Sequence, residues 1–211
     1  RDLKPEAVSI ALREFYPDQD TDAAKFYAWL ADEGIFSQHI LYSPDEVARF
    51  ETLRGAGIIR ESTPFVLFVL GRYTADLRGD MTVLPAYLDA ASNDTVWAVC
   101  SFGDTEQEAA AFAASHQGHV RVGFENNLLM PDGLQADDNT ALVRVAVSAA
   151  AVIAEFFPVV GDDGVPVWDN IPQHVKDRNL IIWAPGTGGH YFKIPLPYAY
   201  NVPYVWGRQL S

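Results

Sequence analysis

The chain has 211 residues, enough for one domain or one domain with an appendage, and 49% hydrophobic against 20% charged residues argue for a folded core and against wholesale disorder. A formal net charge of −13, from 15 Lys and Arg against 28 Asp and Glu, argues against a nucleic-acid backbone or an anionic membrane as main partner. One cysteine, Cys100, rules out an intrachain disulfide and suits a reducing, cytoplasmic setting; it sits in an apolar run, as a buried and inert thiol would. No signal peptide is visible at the start, and the chain begins without Met, as a fragment or a processed product would. The longest apolar-looking run, residues 143–160, is broken by Arg144, Glu155 and Pro158 and is too short to span a bilayer.

In chain order, residues 7–12 (AVSIAL) read as a short strand, followed by a turn carrying Arg13, Glu14 and Pro17. Residues 18–33 have helical spacing and end at Gly34, placed as a C′ glycine. Residues 35–42 form the next strand; Ser43 and Pro44 then supply an N-cap and a first-turn proline for a helix over 44–54. The run 65–70 (FVLFVL) is continuously apolar, as a strand buried on both faces must be. It ends at Gly71-Arg72-Tyr73, and a helix is expected over 81–91 despite Pro85. Residues 95–102 are another buried strand; Thr105 and Glu108 suggest a capping box for a helix over 106–116. A strand over 119–124 and a helix capped by Asn139 and running to about 155 complete five strand–helix units. Alternating β and α elements with short connections imply a parallel sheet.

From residue 156 the rhythm stops and Pro, Gly and aromatic residues become dense. We place a boundary there: residues 1–156 form an α/β domain, and 157–211 a tail or small β-containing module, an irregular cap or a hairpin packed on that body. Within it, 179–183 (NLIIW) and 191–194 suit a small hairpin.

The chemistry gathers in residues 118–127, Gly-His-Val-Arg-Val-Gly-Phe-Glu-Asn-Asn. At a period of two, Val120, Val122 and Phe124 occupy one face, and His119, Arg121 and Glu125 the other. Packing the apolar face on helices turns Arg121 and Glu125 toward the sheet or barrel interior, where charges need partners. A carboxylate with the amides of Asn126 and Asn127 at the carboxyl end of such a strand suits a metal or a polar substrate; an Arg121–Glu125 ion pair closing a barrel end accounts for the pattern equally well.

This stretch resembles the HVRVG-[LF]-E-[DN]-N signature of the β-keto acid cleavage enzymes, zinc-dependent TIM barrels. The likeness runs backward in order. Residues 5–9 (PEAVS) look like that family's fourth strand, 34–42 like the fifth, 69–71 like the sixth and 97–103 like the seventh, so it covers about 1–147. The resemblance implies a partial (β/α)8 barrel of strands four to eight. It implies metal-dependent C–C cleavage and acyl transfer between a β-keto acid and acetyl-CoA, and Zn2+ as cofactor. Glu125 matches the carboxylate zinc ligand, and Arg121 the arginine that positions substrate and intermediate. Asn126 stands where many members carry a catalytic Asp; an amide can orient a group but cannot take its proton. Glu14 falls near a hydroxyl residue of other members and joins Arg121 and Asn126 as a catalytic candidate, while Asn127 and Arg72 join Arg121 as substrate-binding candidates.

The family's His-x-His zinc ligands, on its second strand, have no counterpart among His39, His116, His119, His174 and His190, and its first three βα units have none either. Remaining ligands would come from His174 or His190 or from another chain, since a catalytic zinc usually takes three protein ligands. The alternative is a non-catalytic, truncated or fused α/β module acting in protein interaction or as part of a larger assembly. Either reading expects a homo-oligomer or larger assembly, because exposed sheet edges invite pairing; neither expects nucleic acid or membrane as partner.

Overall fold

A computed structural model describes residues 4–16, 21–156, 179–183 and 191–195. The chain divides into two compact units, Arg1–Ala151 and Val152–Ser211.

In the first unit, β1 (Ala7–Ala11), β2 (Phe36–Leu41), β3 (Phe65–Leu70), β4 (Val96–Ser101) and β5 (His119–Val120) form one parallel sheet in the order β1-β2-β3-β4-β5. This sequential order, with each strand followed by a helix, is that of a partial (β/α)8 barrel. The helices are α1 (Leu12–Phe15), α2 (Thr21–Glu33), α3 (Pro44–Gly55), α4 (Leu84–Ala90), α5 (Glu106–Ser115) and α6 (Asn139–Phe156), the last of which runs past the unit boundary at Ala151. The turn expected after β1 holds the single helical turn α1.

Strand alternation sorts the core into two clusters. Val66, Phe68 and Leu70 of β3 and Val99 of β4 pack with Leu30 of α2 and Phe50 of α3. Leu67 and Val69 of β3 lie on the other face with Ala98, Cys100 and Phe102. One face is thus covered by helices, and the other is lined by strand residues. FVLFVL needs no polar alternation because both faces are dry: from Val66 to Leu70 every residue is buried. Each fully buried Val, Leu or Phe contributes about 1.5–3 kcal/mol of transfer free energy.

Several helix ends follow from the sequence. Ser43 Oγ accepts from Glu46 N at 3.2 Å, with Pro44 in the first turn of α3. Gly34, at φ +65°, ends α2, and Ile35 N donates back to Leu30 O. Two expected caps are different. Thr105 makes no cap bond; its hydroxyl lies 2.7 Å from Ser101 Oγ inside the core. At α6 it is Asp138, not Asn139, whose Oδ1 accepts from Ala141 N at 2.8 Å, because the Asn139 amide is committed elsewhere.

In the second unit, β6 (Asn179–Trp183) and β7 (Tyr191–Pro195) pair antiparallel, as the hairpin reading expected. The other expectations for 157–211, including an irregular cap and any ligand from His174 or His190, lie outside the described residues.

Candidate functional site

The strand expected over 119–124 is shorter: β5 holds only His119 and Val120, and Arg121 N adds one more bond to Val99 O at 2.9 Å. Gly123 then takes φ +133°, and Asn126 N and Asn127 N both fold back to Gly123 O at 2.8 and 3.0 Å. A side chain at 123 would be strained in this conformation, and its Cβ would sit 2.8 Å from Asn139 Oδ1. The period of two therefore ends before Gly123. Phe124 is 40% exposed instead of packing on helices, and Glu125 sits in a turn instead of on the inner strand face.

Arg121 lies on the inner face, as the alternation predicts. Its Nη2 donates to Asn126 Oδ1 at 2.9 Å and contacts Cys100 Sγ of β4 at 3.2 Å, while Nη1 stands 3.5 Å from Glu125 Oε2. Asn126 Nδ2 returns a bond to Arg121 O at 3.2 Å, so both ends of this buried amide are engaged by one residue. Burial pushes the Cys100 thiol up to about 11. His119, also half-buried on this face beside Phe65, is held below the usual histidine range by burial.

Asn127 is buried, and its amide is committed locally: Oδ1 accepts from Leu129 N at 2.8 Å and Nδ2 donates to Leu129 O at 2.7 Å. That Nδ2 also lies 3.3 Å from Glu106 Oε2, and Glu106 Oε1 accepts from Gly123 N at 2.8 Å. Glu106 is 1% exposed, and burial raises its carboxyl above the usual range. Asn139 Oδ1 accepts from Phe124 N at 2.8 Å, and Gly103 N donates to Asn126 O at 2.9 Å. The turn is thereby held from α5, from α6 and from the loop after β4.

Glu14 and Arg72 belong to a second group, at the ends of β1, β2 and β3. Glu14 Oε1 accepts from Tyr73 Oη at 2.7 Å. The Arg13 guanidinium lies 4.7 Å from the Tyr42 ring centre and 4.4 Å from that of Tyr73, and it pairs with Glu46. Glu46 Oε2 also accepts from Tyr42 N at 3.0 Å. Burial and the neighbouring Tyr73 push the Tyr42 hydroxyl up to about 12. Arg72 is exposed and stands 5.9 Å from the Tyr73 ring and 5.8 Å from the Phe102 ring.

The structure thus brings Arg121, Glu125, Asn126 and Asn127 together and gathers Glu14 and Arg72 around Tyr73. Glu106, Asn139 and Arg13 were missed. Glu106 and Asn139 read as ordinary helix-start residues, and only a buried position could have marked Glu106. Among the described residues, no group of three or more His, Cys, Asp or Glu could hold a metal ion. The exposed Glu125 is one carboxylate, so the described residues do not by themselves fit a zinc site. An open cleft of about 570 Å3, lined by Arg54, Arg60, Glu61 and Asp94, lies at the amino ends of the strands and holds none of the candidate residues. There Arg54 pairs with Glu51 and Asp94, each at 2.8 Å.

A family model described as beta-keto acid cleavage enzyme matches residues 1–155. The chain is also similar to the 3-keto-5-aminohexanoate cleavage enzyme of Fusobacterium nucleatum, at 34% identity over 83 residues. That match spans 39% of this chain and 29% of the relative, so less than a third of the relative's length is represented. None of the described helices is long and apolar enough to cross a membrane.

Proposed function

Because the chain belongs to the β-keto acid cleavage enzyme family, we propose that it takes part in metal-dependent C–C cleavage and acyl transfer between a β-keto acid and acetyl-CoA. The observation that carries this reading is Arg121, whose guanidinium is held at the carboxyl end of the sheet by Asn126 and Cys100 while its side chain stays 37% exposed. A fixed, accessible guanidinium suits the carboxylate of a keto acid, because charge-assisted bonds are the strong ones and little ordering remains to be done on binding. Asn126, bonded at both ends to Arg121, orients that guanidinium and moves no proton. Glu14 and Arg72 would meet substrate from the rim around Tyr73, and Asn127 would act by shaping the turn. The relative's name points to a β-keto acid that also carries an amino group, and that compound belongs in any substrate panel.

Zinc is the metal the reading implies, and it would act as a Lewis acid on a keto oxygen when bound. Glu125 is the described residue that would serve as one ligand; the others would come from His174, His190 or another chain. Each of the edge strands β1 and β5 has one neighbour among the described residues, which supports a homo-oligomer or larger assembly; the single cysteine is what suits a cytoplasmic setting. The second reading, a non-catalytic α/β module, is favoured by the single carboxylate ligand found among the described residues.

Zinc retention and turnover of a β-keto acid panel with acetyl-CoA decide between them. The enzyme reading expects zinc bound at micromolar or tighter, lost in Glu125→Gln and in one histidine variant. It also expects Arg121→Ala to raise KM for the keto acid about tenfold to hundredfold, the worth of a charge-assisted bond of about 1.5–3 kcal/mol. Absence of both zinc and turnover in the unaltered chain would leave the non-catalytic module.

A further inference from the structure

We propose that Glu106 is a positioning residue whose buried carboxylate sets the turn at residues 123–127, and through it the placement of Arg121, Glu125 and Asn126. Its consequence for catalysis rests on the reading above; its consequence for the turn does not.

Glu106 opens α5 and is 1% exposed, in a helix whose other buried positions, Ala109, Ala110 and Ala113, are small and apolar. Filling space against the sheet would not call for a carboxylate, which loses hydration on burial. What a carboxylate supplies is two acceptor atoms, and two donors converge on it: Gly123 N at 2.8 Å and Asn127 Nδ2 at 3.3 Å. Neither donor can be inverted. The first is backbone, and the second is fixed by the two bonds of the Asn127 amide to Leu129. A glutamine at 106 offers one acceptor and would set its own NH2 against that of Asn127; an apolar residue would strand both donors. The Gly123 N–H held by Glu106 belongs to the residue whose carbonyl receives Asn126 N and Asn127 N. The grip therefore acts at the start of the turn. From there it passes to Asn126, which brackets Arg121, and to Glu125, which faces Arg121 Nη1 at 3.5 Å.

The test uses the full chain, with Glu106→Gln, Glu106→Asp, and Glu106→Gln combined with Asn127→Asp. The double variant moves the carboxylate across the contact and restores donor to acceptor there, while giving up the Asn127 Nδ2 bond to Leu129 O. Amide NMR spectra and hydrogen exchange at one pH are read for residues 121–127 and, as an internal control, for β3. In Glu106→Gln the Gly123 amide should exchange at least tenfold faster, and the side-chain amide signals of Asn126 and Asn127 should move, while β3 amides stay within twofold. The double variant should recover part of the Gly123 protection. In any preparation with turnover, Glu106→Gln should raise KM for the keto acid at least about fivefold, in the direction of Arg121→Ala, and change kcat less, with partial recovery in the double variant. Unchanged signals at 121–127, or an equal loss of protection in β3, would overturn the proposal. Should Glu106→Gln fail to fold, Glu106→Asp decides: it keeps both acceptors on a shorter stem, and wild-type exchange at Gly123 in that variant would overturn it. Absence of turnover in every preparation counts against the catalytic reading and leaves the amide result to judge the grip.

Discussion

Arg121 divides its guanidinium between Asn126, Cys100 and Glu125, and the plain period of two correctly placed it on the inner face. Glu125 was misplaced by the same rule because the rule holds only while the backbone stays extended, and Gly123 leaves that region at φ +133°. Cys100 gives a direct check on how closed this face is. The side chain is fully buried, and burial raises the thiol to about 11, so at pH 7.5 little thiolate exists and little of it is reachable. We expect the native chain to resist a water-soluble maleimide for hours at pH 7.5 and to react within minutes in denaturant. Rapid native labelling would show that the Arg121–Cys100 contact opens freely.

At the scale of elements, loops bind to one another through close backbone approach, and glycines mark where. Gly79 N donates to Phe102 O at 2.9 Å, and a Cβ at Gly79 would lie 1.9 Å from Ser101 Oγ in the buried pair with Thr105. We expect Gly79→Ala to destabilise by about 1–3 kcal/mol, the usual cost of forcing a methyl into a packed core. Gly55, in the last turn of α3 with open space around it, is the matched control. Gly55→Ala should be neutral or stabilise by up to about 1 kcal/mol through helix propensity and a less flexible unfolded chain. Urea unfolding of the two variants checks both. Equal effects would mean that the loop after β3 is not packed against β4 as described. Helix starts show the same limit of local reading: Ser43 caps as its motif says, whereas Thr105 and Asn139 are diverted to tertiary partners.

At the scale of the whole molecule, an open parallel sheet should be most stable at its centre. Hydrogen exchange is expected to be slowest in β3 and β4, which are paired on both sides and buried on both faces, and faster in β1 and β5. Protection of β1 equal to that of β3 would mean that another strand covers that edge in solution, which would bear directly on the proposed assembly.

The succession of five parallel βα units and the inner-face placement of Arg121 were determined by the sequence alone. Hydrophobic periodicity and glycine punctuation are local properties, and β3 and its neighbours bury what their own residues dictate. The family was legible there too, in ten consecutive residues around the same strand. The working geometry of the site was decided only by tertiary structure. Glu106 meets Gly123 across 17 positions of chain, and Tyr73 meets Glu14 across 59. No local pattern encodes such meetings, because a hydrogen bond between distant residues depends on where the sheet places both of them, and the chain between them carries no record of it.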